Sequence, residues 1–146
     1  MKKIIYSLGT STRSFEEFLE ILKSYGIEQV VDVRSFPVSK RFPHFSQEIL
    51  KSKLTKRGFA YVYLGRELGG YRKSGYENHL KMNLFKKGLE ALKELAERRV
   101  TVFICAEKFP WKCHRRFIAQ ELEKESWQVK HIIEKDKVWI PKKGAG

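Results

Sequence analysis

Acidic residues, cysteine, proline and long apolar runs are all scarce in this 146-residue chain. Seventeen Asp and Glu face thirty Lys and Arg, a formal charge of +13, so the surface draws polyanions rather than cations. No apolar run approaches the roughly 18 residues that a membrane span needs. The opening "MKKIIYSLGT" lacks the long apolar stretch and cleavage site of a secretory signal, and the expectation is a cytoplasmic protein with no membrane contact. There are only two cysteines and no C-x-x-C pair. A structural zinc site wants four nitrogen or sulfur ligands in close pairs, and Cys105, Cys113, His114 and the distant His44 would have to serve. No metal or cofactor is expected. A Cys105–Cys113 disulfide would close a short loop, and such bonds are uncommon in a reducing compartment outside hyperthermophiles. Repeats, low-complexity tracts and linkers are absent, which points to one domain.

What is present reads as a globular α/β chain. Hydrophobic residues make up 42% and aromatic residues 13%, enough for one good core. Lys–Glu mixtures such as "KKGLEALKELAERR" match the composition associated with thermophile proteins. Strand signals fall at "KIIYSLG", "EQVVDVR", "FAYVYLG", "VTVFICA" and "WQVKHII". The fourth is continuously apolar and is expected to be central. Helix signals lie between them. Ser14 and Glu17 form a capping box ahead of Phe15, Phe18, Leu19 and Leu22 on one face, and Gly26 ends that helix. Ser46 is placed to cap the next helix, with Phe45 and Leu50 as a hydrophobic staple. Ser74 and Glu77 spell a second capping box before a helical region running to about Arg99, with Asn83 or Gly88 as a break. Cys113 opens the last helix, which runs to about Lys124. The expectation is a single α/β domain over 1–140, a mostly parallel sheet of about five strands with helices on both faces, and a frayed tail over 141–146. The last strand is the candidate for an antiparallel edge.

Each of the first four strands is followed by residues that packing does not require. Gly9, Ser11 and Arg13 follow the first; Asp32, Arg34, Ser39, Arg41 and His44 follow the second. Arg66, Gly69, Gly70 and Arg72 follow the third; Cys105, Glu107, Cys113, His114 and Arg115 follow the fourth. In a parallel sheet these loops emerge at one edge, where ligand crevices form. The six arginines on them match phosphate or carboxylate, and the Gly9–Ser11 turn offers backbone N–H and hydroxyl donors.

The stretch "VFICAEKFPWKCHRRFIAQEL" holds the residues best suited to chemistry. Cys113 sits beside Lys112, His114 and Arg115 at a helix N-terminus, surroundings that favour thiolate, and it reads equally as a reactive cysteine or as a half-buried packing residue on the first turn. Cys105 ends a strand and reads as a core residue. Glu107 reads equally as a general base or as an arginine's partner, and Asp32 as an ion-paired orienting residue. A phosphatase-like loop needs Arg six residues after its Cys, but those positions are Trp111 and Ala119. "VVDVR" has the look of a rhodanese opening, yet the compact active loop of a sulfurtransferase is missing.

"SLGTS", "DVRSFPVSKRFPHF", "YLGRELGG" and "CAEKFPWKCHRR" together resemble the domain of unknown function 488 family, over residues 7–116. The resemblance places motif positions on Gly9, Ser11, Asp32, Arg34, Pro37, Ser39, Phe45, Leu68, Gly69, Gly70, Cys105, Glu107, Cys113, His114 and Arg115. Lys40 and Ser46 depart from the Arg and Asn that the resemblance leads one to expect. It implies no reaction. Three functions stay open: an enzyme acting on a phosphate-bearing small molecule or nucleotide through Cys113, Glu107 and His114; a non-catalytic nucleic-acid-binding module with Phe36, Phe42, Tyr71 or Trp111 stacking on bases; and a ligand- or redox-sensing domain.

Overall fold

In the computed structural model residues 3–141 are described; residues 142–146 of the expected frayed tail lie outside them. Six strands, β1 (Lys3–Gly9), β2 (Gln29–Asp32), β3 (Ala60–Tyr63), β4 (Thr101–Cys105), β5 (Trp127–Glu134) and β6 (Lys137–Trp139), form one sheet in the order β3-β2-β4-β1-β5-β6. The first five run parallel, with Gly9 beside Cys105 and Leu8 beside Ile132. Only β6 runs antiparallel, pairing Trp139 with His131. The antiparallel edge expected of the fifth strand therefore belongs to a sixth. That strand is three residues long, too short for an alternating pattern to announce it.

Six helices connect and cover the sheet: α1 (Phe15–Ser24), α2 (Gln47–Lys56), α3 (Gly65–Leu68), α4 (Tyr76–His79), α5 (Asn83–Arg98) and α6 (Arg115–Lys124). Strand side chains alternate between faces, and the two faces bury different helices. Leu8, Val30, Val102 and Ile104 pack against Phe18 and Leu22 of α1 and Leu50 and Leu54 of α2. Ile5, Val31, Phe103 and Cys105 face the other way, onto Leu68, Phe85, Leu92, Ile118 and Leu122. β4 lies between β2 and β1 and is buried along its whole length, as its unbroken apolar run requires.

The first capping box forms: Glu17 N–H donates to Ser14 Oγ at 3.0 Å, and Ser14 N–H to the Glu17 carboxylate at 3.1 Å. The second does not. Gly75, at φ 86°, stands in the N-cap position of α4 and turns the chain, so Ser74 lies one residue too early. Ser46 precedes α2, but its hydroxyl accepts from Ser39 N–H and donates to Ser39 C=O, closing the preceding loop instead of capping the helix. The helical region after Gly75 breaks at 80–82, ahead of Asn83.

Gly88 is not the break; it lies inside α5 where α3 crosses. A Cβ there would fall 2.5 Å from Glu67 Cβ and 3.0 Å from the Leu68 side chain. Alanine is the better helix former by about 1 kcal/mol, but overpacking costs about 1–3 kcal/mol. Gly88→Ala is expected to lower stability in urea unfolding, against its propensity.

Candidate functional site

The connections after β1 and β4 leave the sheet in opposite directions, toward α1 and α6, which opens a crevice at the strands' carboxyl ends. Its floor is a close contact between the two loops. Thr10 N–H donates to Cys105 C=O at 2.8 Å and Ser11 N–H to Ala106 C=O at 2.9 Å. A Cβ on Gly9 would lie 2.0 Å from the Glu107 carbonyl oxygen, so only glycine lets the backbones meet. The Thr10 and Ser11 N–H groups expected to face an anion are therefore engaged by the neighbouring loop.

The second loop is built on a buried ion pair. Arg34 forks onto the fully buried Asp32, Nε to Oδ1 at 2.8 Å and Nη2 to Oδ2 at 2.7 Å, and its Nη1 donates to Phe45 C=O at 2.7 Å. Tyr61 adds a hydroxyl to the same carboxylate at 2.6 Å, and burial beside that charge raises the phenol's pKa. Asp32 is thus the ion-paired orienting residue expected. His44 donates Nε2–H to Arg13 C=O at 2.8 Å, tying this loop to the first, and Ser39 Oγ accepts from Phe42 N–H. Arg13 itself turns inward, onto Gly9 C=O and Ile133 C=O. In the third loop Arg72 donates to Gly69 and Arg66 carbonyls. Glycine at position 70 is required by His114: a Cβ would sit 2.6 Å from its Nδ1.

The fourth loop carries the two sulfurs. Pro110–Lys112 form a single 3-10 turn, and Cys113 is extended, two residues before α6 rather than its first residue. Its Sγ lies 3.2 Å from Cys105 Sγ; both cysteines are free thiols. Arg115 is fully buried beneath them. Its Nε lies 2.9 Å from Cys105 Sγ and 3.3 Å from Cys113 Sγ, and its backbone N–H adds a second approach to Cys113 at 3.3 Å. Nη2 donates to Glu107 and Lys108 carbonyls, at 2.6 and 3.1 Å, and Nη1 to Ser7 Oγ at 2.9 Å. Ser7 Oγ accepts from Arg115 and shares a second hydrogen bond with Nδ1 of the buried His131.

These contacts separate the two thiols. The hydrogen bond from Cys105, helped by Arg115 and opposed by burial, brings the Cys113 pKa down to about 6. Burial, and then the bond to Cys113, pushes Cys105 well up. His114 does not contribute a cation. Its Nε2–H donates to Val33 C=O at 2.9 Å, and burial lowers its pKa to about 4. Burial, with Arg115 nearby, lowers His131 to about 3.

The crevice encloses about 330 Å³ between Arg34, Phe36, Gly70, Tyr71, Cys105, Glu107, Cys113 and His114. A neighbouring recess of about 350 Å³ shares Arg34, Phe36 and Glu107 and adds Ser11 and Ser39. Gly9, Asp32, Gly69 and Arg115 lie beneath as supports, and Arg41, His44 and Arg72 line neither space. Glu107 is exposed at the rim, and no partner meets its carboxylate among the described residues; Arg115 takes its carbonyl instead. Among the described residues no three His, Cys, Asp or Glu side chains gather as metal ligands. Sequence reasoning missed Ser7, Tyr61, His131 and Ser35, which lines the crevice and accepts from Tyr71 N–H at 3.0 Å. The signal for Ser7 and His131 was a polar residue at an inward position of an alternating strand.

Two outcomes follow from these groups. Asp32→Ala strands the buried Arg34 charge and is expected to cost about 3–5 kcal/mol in urea unfolding. His114 and His131 are held neutral in the fold, with pKa values of about 4 and about 3 against an ordinary 6.5. Below that ordinary value the unfolded chain binds more protons. The histidines' contribution to stability is therefore intact above about pH 6.5 and is lost progressively toward pH 4 and below, which urea midpoints measured across pH 7 to 4 will read.

No curated protein and no solved structure matches the sequence. A family model does: the one described as Domain of unknown function DUF488 matches residues 14–122. That span covers most of the chain and the loops after β2, β3 and β4, including the sulfur pair, Arg115 and the Asp32–Arg34 fork. With those loops and the strands β2, β3 and β4 that lead into them inside the match, the chain belongs to the family of Domain of unknown function DUF488.

Proposed function

We propose that this protein is an enzyme whose nucleophile is the Cys113 thiolate, acting on a small molecule held in the crevice. One observation carries the reading. Among the described residues no carboxylate pairs with the buried Arg115 guanidinium, and the atoms at its Nε are sulfurs. A buried charge needs a counter-charge, and Cys113 is the group that supplies it. The same contact keeps the sulfur ionised where it borders the crevice, which is the condition for nucleophilic catalysis.

The other groups take supporting roles. Phe36 and Tyr71, with rings 5.6 Å apart, wall the mouth and offer flat apolar surface to a substrate. His114 keeps a free lone pair on Nδ1, because Nε2 carries its proton to Val33, and it offers a hydrogen-bond acceptor beside Gly70. The phosphate-bearing or nucleotide substrate expected from the arginine-rich loops has fewer donors to hold it, since Arg13, Arg34 and Arg115 all donate inward. The +13 charge still draws an anionic substrate toward the protein.

Alkylation by iodoacetamide tests the nucleophile. Cys113 should label fast, with a rate that is half-maximal near pH 6, against about 8.5 for a free thiol. Cys105 should label slowly throughout, and Cys113→Ser should remove the fast phase. Equal slow labelling of both cysteines would sink the assignment.

A further inference from the structure

The geometry points to a second step that rests on Cys113 being the nucleophile: Cys105 is its resolving thiol, and the substrate is a disulfide of small thiols. A nucleophile that works by simple addition has no need of a second thiol behind it. Here Cys105 lies 3.2 Å away on the crevice floor and is almost wholly buried. It packs into the apolar core, and its sulfur also accepts the Arg115 Nε–H at 2.9 Å, a contact that packing alone does not need.

One N–H therefore stands between two sulfurs, 2.9 Å from one and 3.3 Å from the other, and can serve whichever carries the charge. A bond between them forms at about 2.05 Å, so the sulfurs have only about 1.2 Å to close, and the link in between is a loop with a single 3-10 turn.

The steps balance without a cofactor. The Cys113 thiolate attacks one sulfur of R–S–S–R′, breaking that bond, joining R–S to Cys113 and releasing R′–S⁻. Cys113 has then lost its charge, and Arg115 turns to Cys105, whose proton passes to the departing R′–S⁻. The Cys105 thiolate attacks Cys113 Sγ, forms the protein disulfide and releases R–S⁻. The substrate disulfide is reduced by two electrons and the cysteine pair is oxidised by two. A dithiol reductant returns the pair to its starting state through the same exchange run backwards. The crevice fits such a substrate: its accessible walls are the rings of Phe36 and Tyr71.

The reduced protein, mixed under native conditions with 5,5′-dithiobis(2-nitrobenzoic acid), decides the matter. The wild type should release one thionitrobenzoate for each of its two cysteines and end without an adduct, lighter only by the two thiol hydrogens. Cys105→Ser should release one and keep the thionitrobenzoate on Cys113. A wild-type protein that retains the adduct on Cys113 overturns the resolving role while the nucleophile stands. No release from wild type overturns both. The substrate class is read separately: faster oxidation of the pair by hydrogen peroxide than by equal bis(2-hydroxyethyl) disulfide would overturn the disulfide assignment.

Discussion

Everything at the carboxyl end of this sheet is arranged around one buried guanidinium. Arg115 starts α6, yet its donors reach the end of β4, the carbonyls after it, the middle of β1 and both sulfurs. Through Ser7 it also fixes His131 on β5. Removing such a charge from water costs several kcal/mol, and nothing acidic from Asp or Glu compensates it among the described residues. The dependence runs both ways. Under the function proposed above, the guanidinium keeps Cys113 ionised and the ionised sulfur makes the buried guanidinium tolerable, so that structure and reactivity are one interaction viewed from two atoms.

The second buried pair works differently. Asp32 and Arg34 satisfy each other, with Tyr61 and the Phe45 carbonyl taking the remaining positions. That fork is complete in itself and serves as a hinge post for the loop over 35–45. One arginine is thus paired with an acid, while the guanidinium of the other meets sulfur and backbone carbonyls.

Much of this was legible beforehand. The parallel sheet followed from strand–helix alternation, and the continuous apolar run of "VTVFICA" placed β4 inside it. The Ser14–Glu17 box and the Phe18 and Leu22 face fixed α1. Gathering of the loops at one edge followed from parallel order, and the readings of Cys105 as a core residue at a strand end and of Cys113 as a thiol near the start of the last helix came from their positions. What stayed hidden was direction. A sequence shows an arginine on a loop but not the carbonyl its fork will meet, because backbone acceptors carry no letter. For that reason Arg13, Arg34 and Arg115 read as anion ligands when each points into the protein. Contacts between segments distant in the chain were equally silent. Gly88 looked like a helix breaker until α3 crossed it, and Ser7 and His131, 124 positions apart, gave no sign of sharing a proton.

The short antiparallel strand at the end of the sheet has a consequence of its own. A five-stranded parallel sheet ending at β5 would present eight residues of unpaired backbone along its rim. β6 covers part of that rim with only three residues, carries Lys137 exposed on it, and meets β5 through an irregular register between Ile132 and Glu134. A brief, kinked and positively charged border is a poor template for another chain's strand. In a protein already repelled from its own copies by a charge of +13, the sheet is guarded twice against edge-to-edge aggregation.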